Sequence, residues 1–553
     1  MHFFMHNPGG AGLYLPFNAW GWIFVSLIIG LGLWHATVKG ELVTSSLLHI
    51  WGVAAVLMLL PMAWSDASMR DYAIPRLGGV IGGWLLLAAL YQFRLESYAR
   101  QKLLGWLLVA VAIEVTLGLV QYYLLTPGNW LGYDTKSNRP YGIFQQPNVM
   151  ASFMATGVAL ALWLGCTDSK PWMKWLQAYV LVGAVILLVA LQSRVGQLGA
   201  GLASLLMLPW LKQQQQLRRS LGWLLLGLLL GIASLYFIEG MKRGLAVYQS
   251  GGYRSIYWPY ALKLWWQHPF TGWGYGSFES VFLRNYMAER ALNPSMPQIE
   301  YNLDHPHNEL LYWAVEGGLL PIIGIFAMGG GLLWRLTGQP LPRALALLAL
   351  VVPIALHTQT EYPLYHSIAH WIFLLILVWY IDEAWDSPTA RGLMVWPYSH
   401  KLLLRFLAIG IPLFVVPFML TALHTAWVVT KYERGGYKEP TLLLDIVNPM
   451  AWLTRVEFDV NSVRLMVGLQ TNNKAELEAY LEWGRAFVRH TPRANIYANM
   501  VVALNALGRT DEANTMRREA LQLYPDDPLL TKSAAKSVIT GVDQPAESDA
   551  RAK

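Results

Sequence analysis

Residues 175–211 read WLQAYVLVGAVILLVALQSRVGQLGAGLASLLMLPWL: two apolar runs, 175–192 and 195–211, that meet at Ser193-Arg194. A helix needs about 20 mostly apolar residues to cross the hydrocarbon core of a bilayer. Both runs come close to that length, so the stretch reads as two neighbouring spans hinged between them. The pattern recurs along the chain. Further candidate spans fall at roughly 17–37, 43–63, 77–93, 103–125, 149–166, 221–238, 309–334, 342–358, 367–382 and 402–430, about twelve in all. The expected fold class is an all-α polytopic membrane protein of about twelve transmembrane helices.

Composition agrees. Of 553 residues, 55% are hydrophobic and 14% charged, whereas a soluble domain carries about 25% charged residues. That is too little charge to coat a large soluble surface, so lipid must cover much of the chain. The 26 tryptophans suit the membrane–water interface. The net charge of +7 is spread over short loops and reads as an orientation signal, not as affinity for nucleic acid. The one cysteine, Cys166, excludes disulfide scaffolds, cysteine-rich zinc sites and iron–sulfur clusters within a single chain. No cleavable leader is expected. Met1-His2-Phe3-Phe4 lacks a basic region, and Asn7-Pro8-Gly9-Gly10 interrupts any early apolar run.

Lys and Arg in the short loops set orientation. Lys39, Arg94, Arg100, Lys102, Lys170, Lys174, Lys212, Arg218, Arg219, Arg335, Arg343, Arg391 and Lys401 fall on one side; Arg70, Arg76, Lys136, Arg139 and Arg194 fall on the other. The richer set is expected inside. The outer side then holds the N-terminus, the segment 239–308, the turn around Glu361 and everything after about residue 430. The expected organisation is an N-terminal transmembrane region (1–238), an outer catalytic loop (239–308), a C-terminal transmembrane region (309–430), an outer helical domain (431–540) and a disordered end (541–553). Within the tail, residues 474–525 show helical periodicity. Their second half resembles one tetratricopeptide-like unit, with Gly508 closing one helix and Pro525 ending the next. Such a unit binds a partner or packs on the membrane domain.

The outer segment ends in Leu303-Asp304-His305-Pro306-His307-Asn308-Glu309, where a span begins. A histidine there can be wet and titrate near neutrality, which suits a general base. A structural interfacial pair is the plainer alternative. His-x-His with no i,i+4 partner and no cysteine is poor metal spacing, so no metal and no cofactor are expected. Arg194 lies between two apolar runs, where a charge needs a partner or a task. Arg254 lies in the loosened Gly251-Gly252-Tyr253-Arg254-Ser255. Guanidinium forks match phosphate oxygens, so the two arginines suit a diphosphate near lipid headgroups. Two more polar patches fall outside: 138–148, with Gln146 and Asn148, and 357–362, with His357, Glu361 and Tyr362. Both are either ordinary loops or parts of a common outer cleft with the histidines. Such a cleft is what a lipid-linked, sugar-bearing donor needs.

These residues carry a resemblance. His307-Asn308, nine residues and then Gly318 resembles the signature of the O-antigen ligase superfamily, His-Asn followed by Gly-x-x-small, with Pro321 where Gly, Thr or Tyr is usual. Ser193-Arg194-Val195-Gly196 is similar to the family's Ser-Arg-Thr-Gly, with Val195 for Thr. Arg254, Trp258, Ala261, Pro269 and Gly272-Trp273-Gly274-Tyr275-Gly276-Ser277-Phe278 resemble the stretch that precedes the family's histidine. The segment 139–151 is similar to the Gly-x-x-x-Gln-Pro-Asn-x-x-Ala of the protein O-oligosaccharyltransferase branch, the PglL/PilO (TfpO) type. The segment 357–364 resembles that branch's Glu-x-Pro-Leu loop, and the tail its helical C-terminal domain.

The resemblance implies an enzyme of O-linked glycosylation in a bacterial inner membrane, with its site and tail in the periplasm. An oligosaccharide would pass en bloc from undecaprenyl diphosphate to a Ser or Thr hydroxyl of a periplasmic protein such as a type IV pilin. His307 would take the hydroxyl proton, and Arg194 and Arg254 would hold the diphosphate. Attack would invert the anomeric centre, with no metal involved. Asn308, Asp304, His305, Gln146, Asn148, Glu361, Tyr362 and His357 would support or orient. An O-antigen ligase acting on lipid A core and an O-antigen polymerase share the fold and the donor; the Gln-Pro-Asn element and the helical tail favour a protein acceptor. A transporter would show paired broken helices with mid-membrane charges. Here Glu114 is the clearest such charge.

Overall fold

The computed structural model describes residues 2–168, 170–238, 252–384, 391–395 and 398–531. The expected disordered end, 541–553, lies outside them. The chain divides into two compact units. One comprises Met1–Val56, Gly78–Ser250 and Gly324–Trp427, the other Leu57–Leu77, Gly251–Ile323 and Val428–Lys553.

All twelve expected spans are found as helices. Ten are long and apolar enough on their own to cross a membrane: Pro16–Lys39, Ser46–Ala63, Ala67–Gln92, Ser97–Tyr123, Pro147–Thr167, Pro171–Leu191, Leu217–Phe237, Leu319–Leu336, Leu341–Thr358 and His400–Arg434. The other two are Arg194–Gln213, diluted by Arg194, Gln197 and Lys212, and Ile368–Glu383, 16 residues long. One expectation changes. The apolar run 309–334 reads as one span, but it forms two helices, Glu309–Gly317 and Leu319–Leu336, broken at Gly318.

In the first unit the helix Pro147–Thr167 is central, with every residue from Val149 to Leu164 buried. Small residues let its neighbours approach, as is usual between helices in lipid. A Cβ on Gly196 would lie 2.4 Å from that of Ala151, and one on Gly157 2.3 Å from Val111 Cγ1. At the end that the charge count places inside, buried ions are paired. Arg100 Nη1 donates to Glu383 at 2.7 Å, Arg335 pairs with Asp382, and Tyr91 donates to Asp382 at 2.7 Å. A small antiparallel sheet, Glu41–Ser45 with Arg391–Val395, joins this otherwise helical unit. Gln92 clamps its first strand by accepting from Val43 N at 3.0 Å and donating to Val43 O at 2.9 Å.

The second unit is built from the helices Arg254–Gln267, Phe278–Leu292 and Glu309–Gly317 together with four tail helices, Leu453–Thr471, Lys474–His490, Ala494–Ala506 and Thr510–Leu523. Gly508, at φ +76°, turns the chain between the last two, and the final one stops before Pro525. The tail does not keep a core of its own. Tyr257, Tyr260, Phe282 and Tyr286 share one apolar cluster with Tyr480, Phe487, Tyr497 and Tyr524.

Candidate active site

In the second unit the break at Gly318 shapes the histidine turn. Gly318 sits at φ +71°, and a Cβ there would lie 2.4 Å from Phe270 O. A Cβ on Gly272 would in turn meet Glu316 O at 2.3 Å. The irregular stretch 272–274 therefore lies directly on the helix end, donating from Trp273 N to Val315 O and from Gly274 N to Glu316 O, both at 2.9 Å. Only glycine fits such close backbone contact at positive φ. The Gly-x-Gly and His-Asn…Gly patterns, read separately in the sequence, are thus two halves of one contact. Glu316, fully buried, accepts from Phe278 N at 3.0 Å and pairs with Arg76. The Arg76 guanidinium lies 3.9 Å from the centre of the Tyr312 ring and 4.5 Å from that of Trp313.

This brace leads back to Asn308, which caps Glu309–Gly317 by accepting from Leu311 N at 2.9 Å. The residue before it, His307, is left-handed at φ +53°. That conformation costs a non-glycine residue of order 1–3 kcal/mol and persists only where its surroundings enforce it. One enforcing contact is Trp258 Nε1, which donates to Pro306 O at 3.0 Å. The His305 and His307 rings stand 4.3 Å apart, and His305 Nδ1 meets the Asp304 carboxylate at 2.6 Å. Desolvation raises the Asp304 carboxyl. The His305 charge and hydrogen bond, with His307 and Arg493 behind them, outweigh it and hold Asp304 below the usual range. Its side chain keeps 64% of its exposure, so that desolvation is partial. Burial raises the Glu309 carboxyl against the pull of Arg76 and a 3.1 Å bond from Trp313 Nε1. Arg254 begins the helix Arg254–Gln267. Rings join that start to the histidine: Tyr253 stacks on Tyr257 at 5.7 Å, and Tyr257 lies near-parallel to His307 at 6.4 Å.

The first unit holds the remaining expected residues and brings them into one network. Gln146 caps Pro147–Thr167, accepting from Asn148 N and from Val149 N at 2.9 Å. Asn148 Oδ1 accepts from Ser193 Oγ at 2.8 Å, and Ser193 immediately precedes the helix begun by Arg194. The hinge forms as expected: Pro171–Leu191 ends with Gln192 in the left-handed region, and Arg139 Nε donates to Leu191 O at 3.0 Å. His366 Nε2 meets Phe144 O at 2.9 Å, which ties the 362–366 turn to the turn that carries Gln146. Glu361, buried, donates its backbone N–H to His357 O at 3.0 Å. His357 is fully enclosed. Ser152 donates to Val149 O at 3.0 Å, so its oxygen accepts from His357 Nδ1 at 2.7 Å and His370 Nε2 at 2.9 Å.

Sequence reasoning missed two contributors, Arg76 and Gln121, and the role of a third, Glu114. Arg76 reads only as loop charge, and its partner Glu316 stands 240 residues away. Glu114 stands out as a charge within a span; it accepts from Ile143 N at 3.2 Å. Gln121, one heptad on along the same helix face, accepts from Tyr141 N and Gly142 N, both at 2.9 Å. Two polar residues seven apart on an apolar helix are the signal that could have found them.

The three clusters of motifs coincide with three family matches. Residues 140–164 match the protein glycosylation ligase model, 179–327 the O-antigen ligase model, and 345–538 the C-terminal model of virulence factor membrane-bound polymerases. These contain, in turn, Gln146 and Asn148; Arg194, Arg254 and His307; and His357, Glu361, Tyr362 and the tail. The general O-oligosaccharyltransferase of Acinetobacter baylyi is 24% identical over 379 residues, covering 62% of this chain and 62% of that protein. The chain thus spans about three fifths of the curated relative it matches.

Proposed function

We propose that this chain, a member of the O-antigen ligase superfamily, is an O-oligosaccharyltransferase that glycosylates proteins from a polyprenyl-diphosphate donor at the periplasmic face of the bacterial inner membrane. The observation that carries the reading is the strained left-handed His307. It is braced on either side, next to Asp304–His305 and, through Tyr257 and Trp258, against the helix that Arg254 begins.

The acceptor's Ser or Thr hydroxyl is a poor nucleophile until a base removes its proton as it attacks. His307 takes that proton, and Asp304–His305 fixes the neighbouring ring. The hydroxyl oxygen bonds to the anomeric carbon of the first sugar from the side opposite the diphosphate. The carbon–oxygen bond to the diphosphate breaks, and undecaprenyl diphosphate leaves with the electron pair. Arg194 and Arg254 offset the charge that builds on it. Gln146, Glu361 and Tyr362 orient donor or acceptor. No metal is needed, because the arginines supply the positive charge. The acceptor is a periplasmic protein of the pilin kind; the protein glycosylation ligase match supports a protein over a lipid.

The ligase and polymerase matches keep a lipid acceptor as the second reading. Intact-mass analysis of periplasmic proteins with and without the gene, beside a lipopolysaccharide gel, separates the two: a mass shift on protein with unchanged lipopolysaccharide is expected. His307→Ala should abolish transfer by the purified chain without lowering its melting temperature, and full activity in that variant would remove the base from the mechanism. Activity should survive a chelator.

A further inference from the structure

One face of the helix Arg254–Gln267 is buried through Tyr257, Tyr260, Ala261 and Leu264. The opposite face is apolar yet open. Leu262 and Trp266, one turn apart, are 41% and 65% exposed, and Phe270 just beyond is 71% exposed. Beside them stands Trp64, 45% exposed, whose indole N–H donates to Thr271 O at 3.0 Å. Exposed aromatic patches of this kind mark contact surfaces.

Chain continuity says what covers this one. Trp64 directly follows Ala63, the last residue of the membrane-spanning candidate Ser46–Ala63. One residue reaches about 3.8 Å, so Trp64 is pinned at the edge of the hydrocarbon. Its bond to Thr271 pins Phe270 to the same level. Trp and Phe favour that level, and the polar groups beside them, Lys263 (paired with Glu289 at 2.7 Å) and Gln267, face water or headgroups.

We infer that Arg254–Gln267 is an interfacial helix lying along the bilayer surface, with Leu262, Trp266 and Phe270 inserted beside Trp64 at the acyl–headgroup boundary. At 1.5 Å per residue Arg254 then stands about 18 Å from Trp266 along the helix, at the depth of lipid phosphates. The bilayer sets the height of the helix that leads to His307. The inference rests on the chain spanning a membrane and not on the reaction assigned to it.

The test uses the full chain in phosphatidylcholine–phosphatidylglycerol nanodiscs. Cys166→Ser removes the only native thiol. Trp266→Cys and Phe270→Cys each receive an environment-sensitive NBD label, and Ser295→Cys on an exposed turn is the aqueous control. Labels at 266 and 270 are expected to emit blue-shifted light and to be quenched at least twofold more than the label at 295 by lipids spin-labelled near the headgroup, and less by iodide. Labels at 266 and 270 as open to iodide as the label at 295 overturn the proposal. So does a blue shift without lipid quenching in particles holding two chains, which assigns the patch to a second copy. Neither readout needs turnover, so failure here leaves the transferase reading to its own test.

Discussion

Arg493→Met should loosen the tail from the segment that carries the histidine turn, by an amount that depends on pH. Arg493 directly precedes the tail helix Ala494–Ala506, and its guanidinium faces both oxygens of Glu279 in the first turn of Phe278–Leu292. The Glu279 side chain is 10% exposed and that of Arg493 27%. Breaking a buried pair from one side costs about 3–5 kcal/mol, because the other charge stays buried. The partial exposure of Arg493 brings the expected loss to roughly 2–3 kcal/mol. For a unit of this size that is a fall of about 4–12 °C in melting temperature. The sign of the pH dependence follows from Glu279. Burial raises its carboxyl above the ordinary range, and Arg493 opposes that rise. A carboxyl raised in the folded state contributes its stability below the unfolded value and loses it as pH rises through the folded one. Without Arg493 the carboxyl rises further, so the deficit against the parent should be small at pH 5 and largest near pH 8. Arg493→Met combined with Glu279→Leu should recover most of the loss, since an apolar pair replaces a buried ionic one at little cost. Scanning fluorimetry of the purified chain from pH 5 to 8 reads all of this. A deficit equal at both ends, or absent throughout, refutes the reasoning.

Gly318→Ala places a Cβ 2.4 Å from one backbone atom and 2.7 Å from another at φ +71°; a loss of about 2–3 kcal/mol is expected, and a melting point within a degree of the parent would contradict the packing. Asn308→Ala removes a helix cap, for about 1 kcal/mol. Asn308→Asp keeps the cap and should melt like the parent, so equal losses in the two variants would show that capping is not the role of this residue. Burial, with the charge of Arg493 adding, holds His490 down at about 3. A depressed imidazole contributes its stability above the unfolded value near 6.5 and loses it as pH falls, so the second unit should lose about 2 kcal/mol between pH 6.5 and 5. His490→Phe should flatten that acid limb; a limb of unchanged slope would assign the loss to another group.

The spans were legible because lipid selects for long apolar runs, and the hinge at Ser193-Arg194 because two such runs abut. The break at Gly318 was not. It depends on the backbone at 270–272, far back in the chain, and the apolar run through 309–334 gives no local sign of it. The sheet was missed for a similar reason: two five-residue strands about 350 residues apart pair only in the fold. The site divides likewise. Its titratable residues stand out by type and spacing, and Asn308 and Gln146 can be seen beside helix starts. The braces behind them, Arg76–Glu316 and Gln121 with Glu114, join groups whose meeting no local pattern encodes. The tail reads as amphipathic helices that bind a partner or pack on the membrane domain; Tyr480, Tyr497 and Tyr524 do not reveal that part of their apolar contact is with Tyr257, Phe282 and Tyr286.

That shared core limits how the protein could be re-engineered. A chimera that exchanges residues after 430 for a relative's tail would leave an apolar scar on both sides of the junction. The smallest exchangeable piece is discontinuous: 57–77, 251–323 and the tail, moved together. Any new acceptor preference installed by such a graft would therefore arrive with its own histidine turn.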